Sequence, residues 1–372
     1  MMNIKGIIPM NRNIPIHFQG VPILLLLFIL MIFVLTIGGC AAMAKIDHVN
    51  NISFSPDGKD ILFDRFQGNL TNQIQVYNLA TGELCAYQAP ANETWGEARY
   101  SMDGRYVAFI IHPIKDEKID YTGMQVAIMD PDGKNVRIVT HTPGPKALPS
   151  FSHDGKKIIY VMADTIRETG RTRRSGYDVY EVEIASGKET RLTWFRFFQI
   201  SQPFYLPDDQ QFIFTGDSPK RFPGIADDDH PAIERKQQEL KRKYRDNQIF
   251  LMRAGEETIK PYIEYFSFSW NPMLSADGKR LFFMSHGIPE TGGGWSQYYL
   301  YSPDGRHRCL TDIKATTVWS AAVSPRGDML AATYDLSPDR QVYKVVIYGV
   351  DDGIRRDIVL PDKPIRIING TP

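Results

Sequence analysis

One six-residue phrase recurs along the chain and constrains its fold before anything else does. It reads Phe54-Ser55-Pro56-Asp57-Gly58-Lys59, Tyr100-Ser101-Met102-Asp103-Gly104-Arg105 and Phe151-Ser152-His153-Asp154-Gly155-Lys156. It returns as Tyr205-Leu206-Pro207-Asp208-Asp209-Gln210, as Leu274-Ser275-Ala276-Asp277-Gly278-Lys279 and, in worn form, as Val323-Ser324-Pro325-Arg326-Gly327-Asp328. Repeats at a regular period are supersecondary units that bury their apolar faces only by stacking on one another.

Asp-Gly supplies the positive φ that a tight hairpin turn needs. After each turn, apolar residues are spaced two apart: Ile61 and Phe63, Val107 and Phe109, Ile158 and Tyr160, Phe212 and Phe214, Leu281 and Phe283. That is the period of a strand with one face in a core. A second hairpin follows in every copy, with turns such as Thr81-Gly82, Asp132-Gly133, Ser186-Gly187 and Asp352-Gly353. Each repeat therefore predicts a four-stranded antiparallel unit. The fold class expected is all-β: a six-bladed β-propeller, whose blades recur at about 40 to 50 residues and leave only short edges.

The phrase Ser-Pro-Asp-Gly-Lys-x-Ile-x-Phe, the Tyr-containing strand after it and endings such as Arg191-Leu192-Thr193 and Cys309-Leu310-Thr311 resemble TolB-type propeller repeats over about residues 45 to 370. The resemblance implies the fold more strongly than a function, since such repeats also build the propellers of peptidases and lyases. TolB carries a separate α/β domain ahead of its propeller. Here only a handful of residues separate the leader from the first repeat, so that domain's role is not carried over.

Residues 1–40 read as a targeting segment. Lys5 and Arg12 make a basic start, and Val21 to Ile37 is an uncharged apolar run. It ends at Ile37-Gly38-Gly39-Cys40, which resembles the bacterial lipobox and implies a mature, lipidated N-terminus at Cys40. An ordinary signal peptide and an uncleaved anchor helix are the alternatives. Ala41 after the Cys, rather than Asp, implies outer-membrane sorting in a Gram-negative host. The domain division expected is a signal peptide over 1–40 and a propeller over 41–372, with an insertion at 216–248.

Formal net charge is zero, and without Lys5 and Arg12 the balance is 41 basic to 43 acidic residues, so nothing global attracts nucleic acid. Besides Cys40 there are two cysteines, Cys85 and Cys309. They fall in the outermost strands of the first and fifth repeats, too far apart for a disulfide, and two unpaired, buried thiols are expected.

The turns inside the hairpins are short, whereas the connections at 64–73, 111–124, 162–177, 215–248 and 284–297 are long and unequal. Long loops on a rigid scaffold are where binding residues concentrate. Trp95, Trp270 and Trp319 precede the Asp-Gly phrase by similar distances, near the expected channel mouth, and Trp295 follows Gly292-Gly293-Gly294. They are candidate partner contacts; packing between blades is the alternative. Arg167, Arg171, Arg173 and Arg174 put positive charge on the same face. Pro231 opens a predicted basic helix over 232–245, with Ile233, Leu240 and Tyr244 at helical spacing. It reads either as a dock for an acidic partner or as a solvated cap.

Chemistry leaves few traces. No Gly-x-Ser-x-Gly elbow occurs, and the repeats run close to the last residue, so a peptidase is not expected. His48, His112, His141, His153, His230, His286 and His307 show no His-x-x-x-His pair, and there is no Cys-x-x-Cys. No catalytic residue, metal site or cofactor is assigned. The reading is a monomeric, membrane-anchored, non-catalytic platform for an envelope protein or peptide. A metal-assisted lyase, with His112 and His286 at the channel, and an assembly factor are the alternatives.

Overall fold

The computed structural model describes residues 47–67, 72–169, 171–244, 248–256, 258–263, 269–286, 296–302, 305–311, 318–335 and 343–369. Cys40 and Trp295 lie outside them.

The strands form five sheets. The first orders Asp47–Phe54 (β1), Asp60–Gln67 (β2), Asn72–Asn78 (β3) and Leu84–Gln88 (β4). The second contains Glu93–Tyr100 (β5), Val107–Lys115 (β6), the short Lys118–Ile119 (β7), Gln125–Met129 (β8) and Arg137–Ile138 (β9), with β7 paired to β6 off the main order. The third has nine strands: Lys146–Phe151 (β10), Lys157–Thr169 (β11), Arg171–Glu183 (β12), Glu189–Arg191 (β13), Phe197–Ile200 (β14), Phe204–Tyr205 (β15), Gln211–Pro219 (β16), Gln248–Arg253 (β17) and Lys260–Pro261 (β18). The helix His230–Tyr244 (α1) lies between β16 and β17 in the chain. The fourth sheet orders Ser269–Leu274 (β19), Leu281–His286 (β20), Ser296–Tyr301 (β21) and His307–Cys309 (β22). The fifth orders Val318–Val323 (β23), Met329–Asp335 (β24), Tyr343–Gly349 (β25) and Arg355–Ile358 (β26). Arg366–Asn369 (β27) pairs in parallel with β4.

Wherever the repeated phrase carries its Ser, it builds the turn in the same way. Ser55 Oγ donates to Asp57 Oδ1 at 2.7 Å and accepts the Asp60 amide at 2.9 Å, and Gly58 takes φ +72°. The worn copy keeps the device with a substitute: Arg326 replaces the Asp, and Ser324 Oγ donates to Asp328 at 2.6 Å instead. In the fourth copy Asp209 occupies the glycine position at φ 52°. Its carboxylate accepts the amides of His153 at 2.6 Å and Asp154 at 2.9 Å, so a costly left-handed residue is held by the turn of the preceding repeat.

Apolar faces meet between sheets. Leu62 and Ile74 of the first sheet pack with Trp95 and Phe109 of the second, while Ile110 and Val126 pack with Ile158 and Tyr160 of the third. Val161 and Val179 meet Phe197 and Phe214 within the third, whose Ile213 and Ile249 meet Phe283 and Tyr299 of the fourth. Phe282 and Tyr298 pack on Val346 of the fifth, and Val345 and Ile347 return to Val49 and Phe63 of the first. Sheets stacked face to face in a closed cycle make a β-propeller.

Four expectations need correction. The separate third and fourth sheets are one, because β14 pairs with both β12 and β16. The segment 162–177 is not a loop: β11 and β12 stay in register out to Thr169 opposite Arg171, making a long two-stranded ribbon. Two segments, residues 43–50 and Ile365 to Ile368, suit the strand that completes a blade; the sequence favours the first, paired into the last sheet, and the structure overturns that. Residues 47–50 pair with β2, and the C-terminal β27 adds to the outer edge of the first sheet. The two thiols are not buried as expected: Cys85 is half-buried beneath β27, and Cys309, in the last strand of its sheet, is exposed.

The helix begins at His230, earlier than the expected 232, because Asp229 is its N-cap: Asp229 Oδ1 accepts the Ala232 amide at 3.1 Å. Ile233 and Leu240 pack on the core beneath, as their spacing predicts.

Candidate binding site

The innermost strands share a distortion that the repeat phrase does not announce. β1, β5, β10, β19 and β23 each shift register against their hairpin partner a few residues before the turn. At the bulge, Asn51 (φ 53°), Glu97 (φ 59°), Leu148 (φ 57°) and Asn271 (φ 50°) occupy equivalent left-handed positions. A bulge re-aims the side chain it carries, and four non-glycine residues in this region are strain concentrated at one level of the ring.

Between the first and second sheets this level opens into a cavity of about 370 Å³ lined by His48, Asn51, Asp64, Asn72, Glu97 and His112, among others. Asp64 is 4% exposed. Its carboxylate accepts Asn51 Nδ2 at 2.7 Å and the Glu97 amide at 3.0 and 2.8 Å. Glu97 Oε2 in turn accepts the Leu148 amide of β10. Each acid thus takes the bulge amide of the next innermost strand. Burial pushes the Asp64 pKa up to about 6 against the bonds that favour its ionised form. Burial, with the nearby Asp64 charge, pushes Glu97 up to about 7. His112 is pushed down to about 4 by burial and by the Arg174 charge, so its ring is neutral at pH 7.

Arg99 lies beyond these acids. Its Nη2 donates to Gln202 Oε1 at 2.8 Å, and its guanidinium carbon is 5.4 Å from the Phe204 ring centroid. Burial lowers its pKa to about 10, which leaves it charged. Arg99 also lines a second, narrower cavity of about 90 Å³ toward the Asp-Gly turns, where residues of β1, β5, β10, β15, β19 and β23 converge.

The predicted contacts are distributed unevenly. Trp95 is 3% exposed, packs 4.7 Å from Phe109 and donates its indole N–H to Glu93 at 2.8 Å, so it is core and not a partner contact. The reason is register. Trp270 stands opposite Met284 and aligns with Gly96 opposite Ile110, which places Trp95 one residue out and on the other face. Trp270 is half-buried and lines a further cavity. Trp319 lies in β23, and Arg171 and Arg173 in β12; their side chains are outside the described residues. Arg174 is exposed, 5.2 Å from the Tyr121 ring centroid.

His112 lies in β6 rather than in a loop, and His286 ends β20. Among the described residues no group of three or more His, Cys, Asp or Glu side chains is arranged to hold a metal ion. Asp64 and Glu97 were not singled out from the sequence. The signal available was an acid at a position where the other copies have Ile110, Val161, Thr215, Met284 and Thr333.

No family model and no curated protein matches the chain. Its fold is similar to that of TolB from Acinetobacter baumannii, at TM-score 0.55 and 17% identity over 85% of this chain and 63% of that one. It is similar to the tricorn protease, at TM-score 0.55 and 14% identity over 86% of this chain and 27% of that one. An oligogalacturonate lyase in complex with manganese matches at TM-score 0.51 and 14% identity, over 86% and 79%. The chain thus spans less than two thirds of TolB and of the tricorn protease. At these identities the likeness is one of fold, shared by proteins of different activities.

Proposed function

We propose that the protein is a six-bladed, non-catalytic binding platform that receives a protein or peptide segment at the mouth formed around Asp64, Glu97 and His112. The nine-stranded sheet then counts as two blades fused through β14, which fits the six strands converging at the narrow cavity. The observation that carries the binding role is that both acids are engaged by backbone amides of the neighbouring innermost strand. Groups held this way keep a polar mouth in shape and are poorly placed to react. Arg174, exposed at the ribbon, extends the surface. Cys40 would carry a lipid that tethers the platform in a bacterial envelope, a reading supported by the lipobox-like residues and by the TolB-like fold.

The test is a photoreactive residue placed at Ile119 or Arg174 in living cells. A single envelope protein captured at both positions, and lost in Glu97→Ala, is the expected result. Capture of lipid alone at both would overturn it. Palmitate labelling that persists in Cys40→Ala would overturn the anchor.

A specific observation favours an enzyme instead: Glu97, with a pKa near neutrality in an open cavity, is suited to move a proton. On that reading Glu97→Gln abolishes turnover of a saccharide or peptide substrate while leaving capture intact.

A further inference from the structure

The junction between β16 and β19 repeats, in different chemistry, the one that holds Asp64 and Glu97. Counted from the paired hairpin ends, Thr215 stands where Asp64 does, Trp270 where Gly96 does and Asn271 where Glu97 does. Asn271 keeps the left-handed backbone at φ 50°, so the bulge is retained while the carboxylates are gone. A cavity of about 240 Å³ lies here, lined by Gln199, Ser201, Thr215, Trp270 and Asn271. The Ser201 hydroxyl is buried and makes no hydrogen bond within the protein, although its amide donates to Thr215 O at 2.9 Å. A buried hydroxyl left without a partner is costly, and in a residue that lines a cavity it favours a polar guest over an apolar one.

We propose that this cavity is a subsite for one neutral sugar ring. The carboxamides of Gln199 and Asn271 each present a donor beside an acceptor, which matches a pair of neighbouring ring hydroxyls; Ser201 adds a hydroxyl, and that of Thr215, which donates to Ser269 O at 3.4 Å, is left to accept. Trp270 packs on the Met273 and Met284 cluster and supplies an aromatic wall for the apolar C–H face of a ring. No charged side chain lines the cavity among the described residues, in contrast to the Asp64 mouth, so an ammonium or carboxylate would be desolvated there without a counter-charge. β16 is paired on both sides, with β14 and β15 on one and β17 on the other, so it offers no edge for an extended peptide to add to. The subsite is independent of the protein-binding mouth.

The experiment is saturation-transfer NMR on the intact protein with methyl β-D-glucopyranoside and N-acetylglucosamine, with sodium galacturonate and tri-alanine as comparators. Transfer to the ring protons of a neutral sugar is expected, weakened about tenfold in Trp270→Ala and several-fold in Thr215→Val and Gln199→Ala. The last two keep the claim testable if the Trp variant fails to fold. Arg174→Ala should leave sugar transfer unchanged even where it abolishes protein capture, which separates this subsite from the platform reading. No transfer to either neutral sugar, equal transfer in the folded variants, or stronger transfer to galacturonate or tri-alanine would overturn the proposal.

Discussion

The Asp64 carboxylate of β2 accepts the backbone N–H of Glu97 on β5 through both oxygens, at 3.0 and 2.8 Å. The contact crosses from the first sheet to the second at the one place in β5 where the ladder is broken by a bulge. It satisfies an amide that the distortion removed from normal pairing, and it does so with an acid that is almost wholly buried.

That burial predicts an inverted pH dependence. Asp64 is raised from its ordinary 3.8 to about 6, so the folded protein holds a proton that the unfolded chain has already released in that window. This group's contribution to stability is therefore full below about pH 3.8 and lost as pH rises through about 6. Glu97 acts in the same sense between 4.5 and about 7. His112, lowered from 6.5 to about 4, acts in the opposite sense between those values, so the thermal unfolding midpoint should fall from pH 4 to pH 7 by less than the two acids alone would give. Asp64→Asn should flatten that fall by on the order of 3 kcal/mol, from a shift of roughly two pKa units, and should lower the Glu97 pKa by removing a neighbouring charge. An equally steep fall in the variant would contradict the assignment.

Gly96→Ala tests the tightness of the same junction. A Cβ at Gly96 would lie 2.5 Å from Asn72 Nδ2 and 3.0 Å from Asp64 Oδ2. Asn72 must then leave its bond to Trp95 O, and a loss of about 1–3 kcal/mol in urea unfolding is expected.

Ser101→Ala probes the turn device. Ser101 is fully buried, donates to Asp103 at 2.7 Å and accepts the Tyr106 amide at 3.0 Å. Alanine strands that N–H, and a cost of about 1–3 kcal/mol follows. Amide exchange at Tyr106 should accelerate with it.

Truncation after Ile365 removes β27 from the edge of β4. Ile368, which packs partly against the cluster containing Tyr87 and Trp95, goes with it. The unfolding midpoint should drop by several degrees, at about 2–4 °C per kcal/mol for a domain of this size. An unchanged midpoint would mean that the parallel pairing contributes nothing to closing the ring.

Much of the fold was legible in the residues. Ser55-Pro56-Asp57-Gly58 and its copies encode their turns through contacts within five residues, and the alternation after each turn encodes the strand. Even Asp209, which breaks the phrase, marks a turn. The candidate site was less legible. Trp95 and Trp270 look equivalent by their distance from the Asp-Gly turn, yet one residue of offset sends one into the core and the other to a cavity wall. The fusion through β14 was hidden for a similar reason, because Phe197–Ile200 carries no feature that says which strand it will pair with.

The sequence by itself determined the repeat, the turn chemistry and the all-β class, because those depend on side chain to backbone contacts a few residues apart. Tertiary structure decided where the acids stand. Asp64 meets Glu97 across 33 residues, Glu97 meets Leu148 across 51, and Arg99 meets Gln202 across 103. Those contacts exist only once the sheets have stacked in a ring and their bulges have been brought to one level. The pKa values that make the mouth polar arise from the burial that stacking creates.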